Sequence, residues 1–319
     1  MFRWETKQAM HLLAPQRRDD FENQSGPIKI RLSHPESKRP PILFVPGSFS
    51  GAWIWQGNFL EYFHQAGYDV AAMSFAGHGQ HGWPLRRRGL SAFDRDIEMA
   101  IEQFETPPIL IAHSLGGLIA QRAAYRVPVA ALALLSPIPL HGVAASVLSL
   151  AKKSPMSILK LAAVTFEPRL ARLGEPPLGI YSPQVGRKFR TFITERLQAE
   201  SPIALMQSLF PNSNATQPAP CPIHFWGAEG DHIIPAHEVR RAAQAMGAKS
   251  KIFPGMSHTM QAEPNWRIVA NHVLNWVEKQ GQRPPRVFNG PTFPCLPLYR
   301  PLQDLERSFK CPCVVTPRG

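Results

Sequence analysis

Short apolar runs alternate with amphipathic segments through most of this chain, and this alternation limits the fold more than any other feature. Six runs are short, apolar and bounded by turn residues, as buried strands are: ILFVPG, YDVAAMSF, ILIAH, VAALALLS, PIHFW and KSKIF. Between them, apolar residues recur at helical spacing, as in WQGNFLEYFHQAG and AHEVRRAAQAM. Buried strands alternating with helices predict an α/β protein with a mostly parallel sheet covered on both faces.

Helix boundaries are marked in the sequence by residues with special backbone behaviour. Gly67, Gly247 and Pro128 follow apolar-periodic segments and predict helix ends. Ser91, with Asp94 three residues later, has the spacing of a capping box and predicts the start of the helix SAFDRDIEMAIEQF.

The interval from Pro139 to Pro218 contains no convincing strand. Three Ser-Pro pairs, at positions 154, 182 and 201, each precede a segment compatible with a helix. Serine as the N-cap and proline as the first helical residue are a common helix start. We therefore expect a helical insertion above the carboxyl edge of the sheet, where ligands bind in such folds.

Composition predicts a globular protein, and nothing in the sequence supports a nucleic-acid-binding module. The 319 residues carry a formal net charge of +12, but no zinc-ligand spacing, ribonucleoprotein motif or basic helix accompanies the charge. We predict no nucleic-acid partner. The predicted organisation is a first core segment at 1–138, a helical cap or lid at 139–218, a second core segment at 219–282 and a proline-rich tail at 283–319.

Cysteine usage and hydropathy predict a soluble cytoplasmic protein without metal. Four cysteines are too few for a disulfide framework, and Cys295, Cys311 and Cys313 lack a fourth ligand at metal-binding spacing. The N-terminus has no apolar core typical of a secretory signal. An uncharged stretch, Val127 to Ala151, is long enough to span a bilayer but contains three prolines, so we expect no stable membrane insertion.

Ser114 is the candidate nucleophile, because it lies between a predicted strand and a predicted helix in AHSLGG. A sharp turn there would expose its hydroxyl above the sheet. Ala112 and Gly116, two residues on either side, are small enough for strand and helix to pass closely, although the usual pattern has glycine at the first position. A helix-capping serine is the structural alternative.

Asp231 follows the strand PIHFW and His258 follows the strand KSKIF, so the order along the chain is serine, acid, histidine. We expect these strand ends to lie side by side. In this feature the chain resembles the α/β-hydrolase superfamily from about Ile28 to Gln280. With GAWIW and AGHG, the resemblance is greatest to esterase, lysophospholipase-like and monoacylglycerol-lipase-like members. A turn-forming aspartate, with Glu229 as the substitute acid, and a surface histidine are the alternatives.

The resemblance implies roles for these residues and for two loops. Ser114 would attack a carbonyl, His258 would take its proton, and Asp231 would orient the imidazole. The oxyanion hole would use the backbone N–H groups of Leu115 and Ser48, with Phe49 N–H as the runner-up. A pocket wall would include Phe49, Trp53 and His113. This chemistry needs no metal or organic cofactor.

The leading hypothesis is a serine hydrolase acting on small-molecule carboxylic esters. An acyltransferase or thioesterase would use the same residues, and a non-catalytic binding module of hydrolase descent is a third alternative. Aliphatic runs in the predicted cap, VAASVLSLA and MSILKLAAVTF, favour an apolar acyl chain. The basic triplet Arg86–Arg88 suggests a preference for anionic head groups. No feature of the sequence predicts the oligomeric state.

Overall fold

A seven-stranded sheet forms the centre of the part of the chain that the structure describes. The computed structural model describes residues 26–78, 83–215 and 217–281. The strand order is β1-β3-β2-β4-β5-β6-β7, and only the pair formed by β1 and β3 is antiparallel. The strands are β1 Ile28–Leu32, β2 Ile42–Val45, β3 Val70–Met73, β4 Ile109–His113, β5 Ala131–Leu135, β6 Ile223–Ala228 and β7 Lys249–Phe253.

Helices occupy the connections between these strands in the described ranges. They are α1 Phe59–Gln65, α2 Trp83–Arg86, α3 Leu90–Ile101, α4 Ser114–Ala123, α5 Ala144–Lys153, α6 Pro155–Phe166, α7 Arg187–Thr194, α8 Pro202–Ser208, α9 Ala236–Ala245 and α10 Trp266–Gly281. Two 3₁₀ turns, Ala52–Trp55 and Pro168–Arg172, complete the set. The predicted α/β fold with a mostly parallel sheet is confirmed, while the edge strand β1 was not among the predicted strands.

Alternation along the strands divides the apolar residues into two core layers. In β4, Leu110 belongs to the layer on one face and Ile111 to the layer on the other. Residues from α3, α4 and α9 fill the first layer, and residues from α1 and α10 fill the second. Because side chains of a strand point to opposite faces, a strand covered on both sides must be apolar throughout, as ILIAH nearly is.

The predicted capping box at the start of α3 is wrong. The helix begins at Leu90, so Ser91 lies inside it, and the side chain of Gln207 accepts the Leu90 N–H at 2.7 Å instead. The carboxylate of Asp94 is fully buried and pairs with Arg122 on α4. A distant side chain therefore caps this helix, which local spacing could not predict.

Residues 139–218, called the cap below, contain α5 to α8 between β5 and β6. Two predicted starts agree with the structure, since α6 begins at Pro155 and α8 at Pro202. The hydroxyl of Ser201 accepts a backbone N–H of the first turn of α8. No helix begins at Ser182-Pro183; the next helix begins at Arg187.

Several predictions concern residues outside the described ranges. The tail at 283–319, with its three cysteines, belongs there, as do the first residues of the predicted core segment. Within the described residues, no helix combines the length and the apolar character needed to cross a membrane.

Candidate active site

Ser114 is the first residue of α4 and directly follows β4, the middle strand of the sheet. Its φ of 51° lies in the left-handed region, which non-glycine residues seldom adopt. The turn is tight because Gly116 faces the adjacent loop: a Cβ there would lie 2.2 Å from the carbonyl oxygen of Pro46. A Cβ on Gly117 would lie 2.6 Å from Pro137. Gly116 and Gly117 therefore allow the start of α4 to pack against the two neighbouring loops. Ser114 is a residue of the helix, and the N-cap is His113.

The loop after β2 lies against this turn for a similar reason. A Cβ on Gly47 would lie 2.6 Å from Nδ1 of His113 and 3.0 Å from Cβ of Ser114. Only glycine allows the backbone to approach the serine this closely. The following residue, Ser48, is thereby placed beside Ser114, and both line the same cavity.

A continuous chain of hydrogen bonds joins the three predicted catalytic residues. The hydroxyl of Ser114 lies 3.1 Å from Nε2 of His258, and Nδ1 of His258 lies 2.8 Å from Oδ2 of Asp231. All three residues are buried. An ionised carboxylate only accepts hydrogen bonds, so the imidazole proton lies on Nδ1 and Nε2 is left to accept the serine proton.

Asp231 is held in place by the backbone of the loop that follows β6. Its Oδ1 accepts the N–H groups of Ile233 and Ile234, each at 2.8 Å. These bonds leave Oδ2 directed at His258. Glu229, the alternative acid, is exposed. The geometry thus favours Asp231 as the partner of the histidine.

The three strands that precede Ser114, Asp231 and His258 were expected to be neighbours in the sheet, but one of them is separated from the other two. The strand β5 lies between β4 and β6, so the three strand ends are not all adjacent. His258 reaches Ser114 because its loop is anchored at both backbone groups. The N–H of His258 donates to the carbonyl oxygen of Gly179 at 2.9 Å, and its own carbonyl oxygen accepts from Nε2 of His113 at 2.9 Å.

His113 lies under the imidazole of His258, with ring centroids 4.8 Å apart. Complete burial, and then the neighbouring His258, hold the pKa of His113 well below its usual range. A neutral His113 adds no second positive charge beside an imidazolium formed at His258. This residue therefore positions the histidine loop without opposing protonation of His258.

The backbone donors near Ser114 differ in availability. Among the described residues, the N–H groups of Ser48 and Leu115 have no hydrogen-bond partner. The N–H of Phe49 instead donates to Oε2 of Glu200 at 3.1 Å. The runner-up donor is therefore already engaged, and Ser48 with Leu115 is the pair that remains for an oxyanion.

A cavity of about 520 Å³ opens above Ser114. Phe49, Trp53 and His113, the predicted wall residues, line it together with Ser48 and His258. The cap supplies much of the remaining wall, largely aliphatic, including Val147, Leu150, Leu161, Val164, Leu197 and Leu205.

The basic triplet has partners other than a ligand. Two nitrogen–oxygen contacts of 2.7 Å pair the Arg88 guanidinium with Asp96, and the Arg86 guanidinium lies 5.4 Å from the ring centroid of Phe166. The structure gives no support to the predicted preference for anionic head groups through Arg88.

Sequence reasoning missed Glu200, Gly179 and the structural role of Gly47. Glu200 immediately precedes a predicted helix start and shows no pattern of its own. Gly47 could have been noticed, because glycine before a candidate oxyanion residue signals close backbone approach. Within the described ranges, no group of three or more histidine, cysteine or acidic residues is arranged to hold a metal ion.

Solved structures with the same fold include three with related designations. An esterase from Thermogutta terrifontis is 17% identical over 79% of this chain and 98% of its own, with a TM-score of 0.58. A monoacylglycerol lipase from Paleococcus ferrophilus is 19% identical over 76% and 96%, with a TM-score of 0.53. A protein designated a non-heme bromoperoxidase from Mycobacterium tuberculosis H37Rv is 17% identical over 81% and 98%, with a TM-score of 0.61.

These identities establish a common fold and no more. No curated protein matches the chain. The sequence model of the alpha/beta hydrolase family, however, matches residues 42–270, which contain Ser114, Asp231 and His258. That range covers most of the chain, and the sheet order and the serine turn agree with it. The chain therefore belongs to the alpha/beta hydrolase family.

Proposed function

We propose that this protein is a serine hydrolase that cleaves carboxylic esters with an apolar acyl chain. The observation that carries the proposal is the hydrogen-bond chain from Ser114 through His258 to Asp231, which ends in an apolar cavity. A protein that only binds a ligand has no physical need for a nucleophile, a base and an orienting acid in this order.

Acylation begins when Ser114 Oγ attacks the ester carbonyl and Nε2 of His258 takes the hydroxyl proton. The N–H groups of Ser48 and Leu115 stabilise the negative charge that develops on the carbonyl oxygen. Asp231 stabilises the imidazolium without taking its proton. The imidazolium then protonates the leaving alkoxide, which leaves as the alcohol while the acyl group stays on Ser114.

Deacylation repeats these steps with water. His258 removes a proton from a water molecule, which attacks the acyl carbonyl, and the same two N–H groups stabilise the second oxyanion. The proton returns to Ser114 Oγ as the bond to the acyl carbon breaks. The products are the free acid and the unchanged enzyme.

An apolar acyl chain suits the cavity because its walls are mainly aliphatic and offer few hydrogen-bond partners. Each methylene that the cavity removes from water contributes about 0.8 kcal/mol. In this proposal the cap forms the roof of the site, so residues 139–218 act as a lid domain between two core segments at 1–138 and 219–282. The scarcity of cysteine favours a reducing compartment, and we place the protein in the cytoplasm.

The test is to compare Ser114→Ala with wild type on p-nitrophenyl esters and with a fluorophosphonate probe. We expect kcat to fall about a millionfold and labelling to disappear. Ser136→Ala is the matched control, because Ser136 is buried, follows the neighbouring strand and has a positive φ of 40°. Residual activity of more than a few per cent in Ser114→Ala would overturn the assignment.

The same assay distinguishes hydrolysis from acyl transfer. With an added thiol or alcohol acceptor, a hydrolase still releases mainly the free acid, since water reaches the acyl-enzyme. Predominant formation of the acceptor ester or thioester would instead identify an acyltransferase.

A further inference from the structure

We propose that Glu200, in the cap, is a positioning residue that holds the oxyanion loop in its working conformation. The oxyanion loop is residues 47–50. This inference rests on the proposed function, because it concerns how the Ser48 N–H is kept beside Ser114. It makes the cap a part of the catalytic geometry as well as a wall of the cavity.

The carboxylate of Glu200 is fully buried and contacts two other segments of the chain as well as the next residue of its own segment. Its Oε2 accepts the Phe49 N–H at 3.1 Å and lies 3.2 Å from Nε2 of His78. Its Oε1 accepts the Ser201 N–H at 2.7 Å. A buried carboxylate is stable only when hydrogen bonds replace its water, and here one of those bonds goes to the oxyanion loop.

Phe49 needs this support because its backbone is strained. Its φ of 63° lies in the left-handed region, which bulky side chains rarely adopt. The cap binds both backbone groups of Phe49. Glu200 accepts its N–H, and the N–H of Gln198 donates to its carbonyl oxygen at 2.9 Å. Both contacts come from one short segment of the cap, so the conformation of Phe49 depends on that segment.

His78 explains why the loop written AGHG matters here. Its ring is buried, stacks obliquely near Phe75 and Phe93 with centroids 6.1 and 6.0 Å away, and contacts Glu200. The ring therefore contacts the same carboxylate oxygen that accepts the Phe49 N–H. Glu200 is held between the loops that contain Phe49 and His78, with one oxygen directed at Phe49.

The effect on catalysis follows from the position of Ser48, the residue before Phe49. If Phe49 relaxes to a negative φ, the peptide that joins Ser48 to Phe49 turns. Ser48 must then shift, and its own N–H, which lies one peptide earlier, moves away from the carbonyl oxygen of the substrate. An oxyanion donor acts on the transition state more than on the bound substrate. Loss of the Glu200 contact should therefore lower kcat and leave KM nearly unchanged.

The first experiment compares Glu200→Gln with Glu195→Gln, using the full-length protein and p-nitrophenyl butyrate. Both variants remove one carboxylate from the same part of the cap, but Glu195 is exposed. We expect about a tenfold lower kcat for Glu200→Gln, less than the hundredfold or more that loss of an oxyanion donor causes. KM should stay within about twofold, and Glu195→Gln should match wild type. An unchanged kcat, or a loss expressed in KM, would overturn the proposal.

The second experiment separates positioning from general damage to the fold. Glycine adopts a positive φ without strain, so Phe49→Gly should need the Glu200 contact less. In the wild-type background we expect Glu200→Gln to reduce kcat about tenfold. In the Phe49→Gly background the same substitution should reduce kcat less than about threefold. An equal loss in both backgrounds would show that Glu200 only stabilises the fold.

To exclude an effect of unfolded protein, kcat is calculated per reactive serine, counted by titration with the fluorophosphonate. If Glu200→Gln does not fold, Glu200→Asp replaces it, since the shorter carboxylate keeps the charge but no longer reaches Phe49. The same kcat loss and the same relief by Phe49→Gly are expected, and full activity of Glu200→Asp would contradict the proposal. Failure of the proposed function is recognised separately. In that case Ser114→Ala would keep its activity, whatever the result with the Glu200 variants.

Discussion

The sheet and the cap differ in how far their apolar side chains are exposed to solvent. All four residues of β2 and all five residues of each of β4 and β5 are buried. In the described ranges, ten of the twelve large apolar side chains that are most exposed belong to the cap, and Met99 and Ile268 are the other two. Helices cover both faces of the sheet, whereas the cap presents one side to the cavity and the other to solvent.

Tolerance of added atoms varies within each region. A Cβ on Gly116 beside the sheet would overlap the backbone of Pro46, and a Cβ on Gly142 or Gly179 in the cap would lie 2.4 or 2.3 Å from backbone atoms. A Cβ on Gly174 or Gly186, also in the cap, would meet nothing within 4 Å. Reacting groups need positions fixed to fractions of an ångström, which the dense sheet edge provides. The open sites of the cap, such as Gly174 and Gly186, have room for larger side chains.

The largest expected difference concerns the acid of the sheet edge. Asp231→Asn should lower kcat about 10⁴-fold, because an amide at this position favours the wrong imidazole tautomer. Glu229→Gln, two residues away and exposed, should change kcat by less than about twofold. Steady-state kinetics on one ester measures both. Similar losses in the two variants would remove Asp231 from its assigned role.

The next difference concerns acyl-chain selection by the cap. On p-nitrophenyl esters, kcat/KM should rise up to about fourfold per methylene from acetate to a medium chain, then level or fall. Val164→Phe should shift the optimum to shorter chains, because Val164 is buried and lines the cavity. Leu159→Phe is the control, since Leu159 is on the same helix but 62% exposed. A flat profile, or one that peaks at acetate, would point to a small polar ester.

Thermal unfolding can test how well a tight and an open glycine site tolerate an added methyl group. Gly116→Ala places Cβ against a backbone oxygen that has little freedom to move, and we expect a loss of about 3 kcal/mol, or about 6 °C in Tm. Gly186→Ala in the cap, with open space around it, should change Tm by less than about 2 °C. Equal shifts would show that Gly186 is packed as tightly as Gly116.

The smallest expected effect is on the loss of thermal stability at acidic pH. Burial, followed by Lys249 and His272, lowers the pKa of His224 on β6 to about 4. Between pH 6.5 and 4 the folded protein then binds fewer protons at this site than the unfolded chain, so stability decreases as the pH falls. His224→Gln should reduce the Tm loss between pH 7 and pH 5 by about 2 °C, since the group is only partly buried. The exposed His237→Gln should leave that loss unchanged.

The accuracy of the sequence predictions depends on whether the signal for an element is local. Six of the seven strands and the turn at Ser114 were predicted, because apolar run length and small residues beside a serine are local signals. The edge strand β1 was missed: it is charged and half-exposed, and its pairing with β3 comes from tertiary contact. The start of α3 was wrong because Gln207, in the cap, supplies the hydrogen bond that Ser91 was expected to make.

The sequence by itself determined the fold class, the order of serine, acid and histidine, and the small residues Ala112 and Gly116 on either side of Ser114. Each of these depends on short-range pattern and on what a side chain physically excludes. Only the tertiary structure decided that β5 separates the serine strand from the acid strand, that His113 supports the His258 backbone, and that Glu200 engages Phe49. Those contacts join residues more than 100 positions apart, and no local pattern records which distant partner will satisfy a buried polar group.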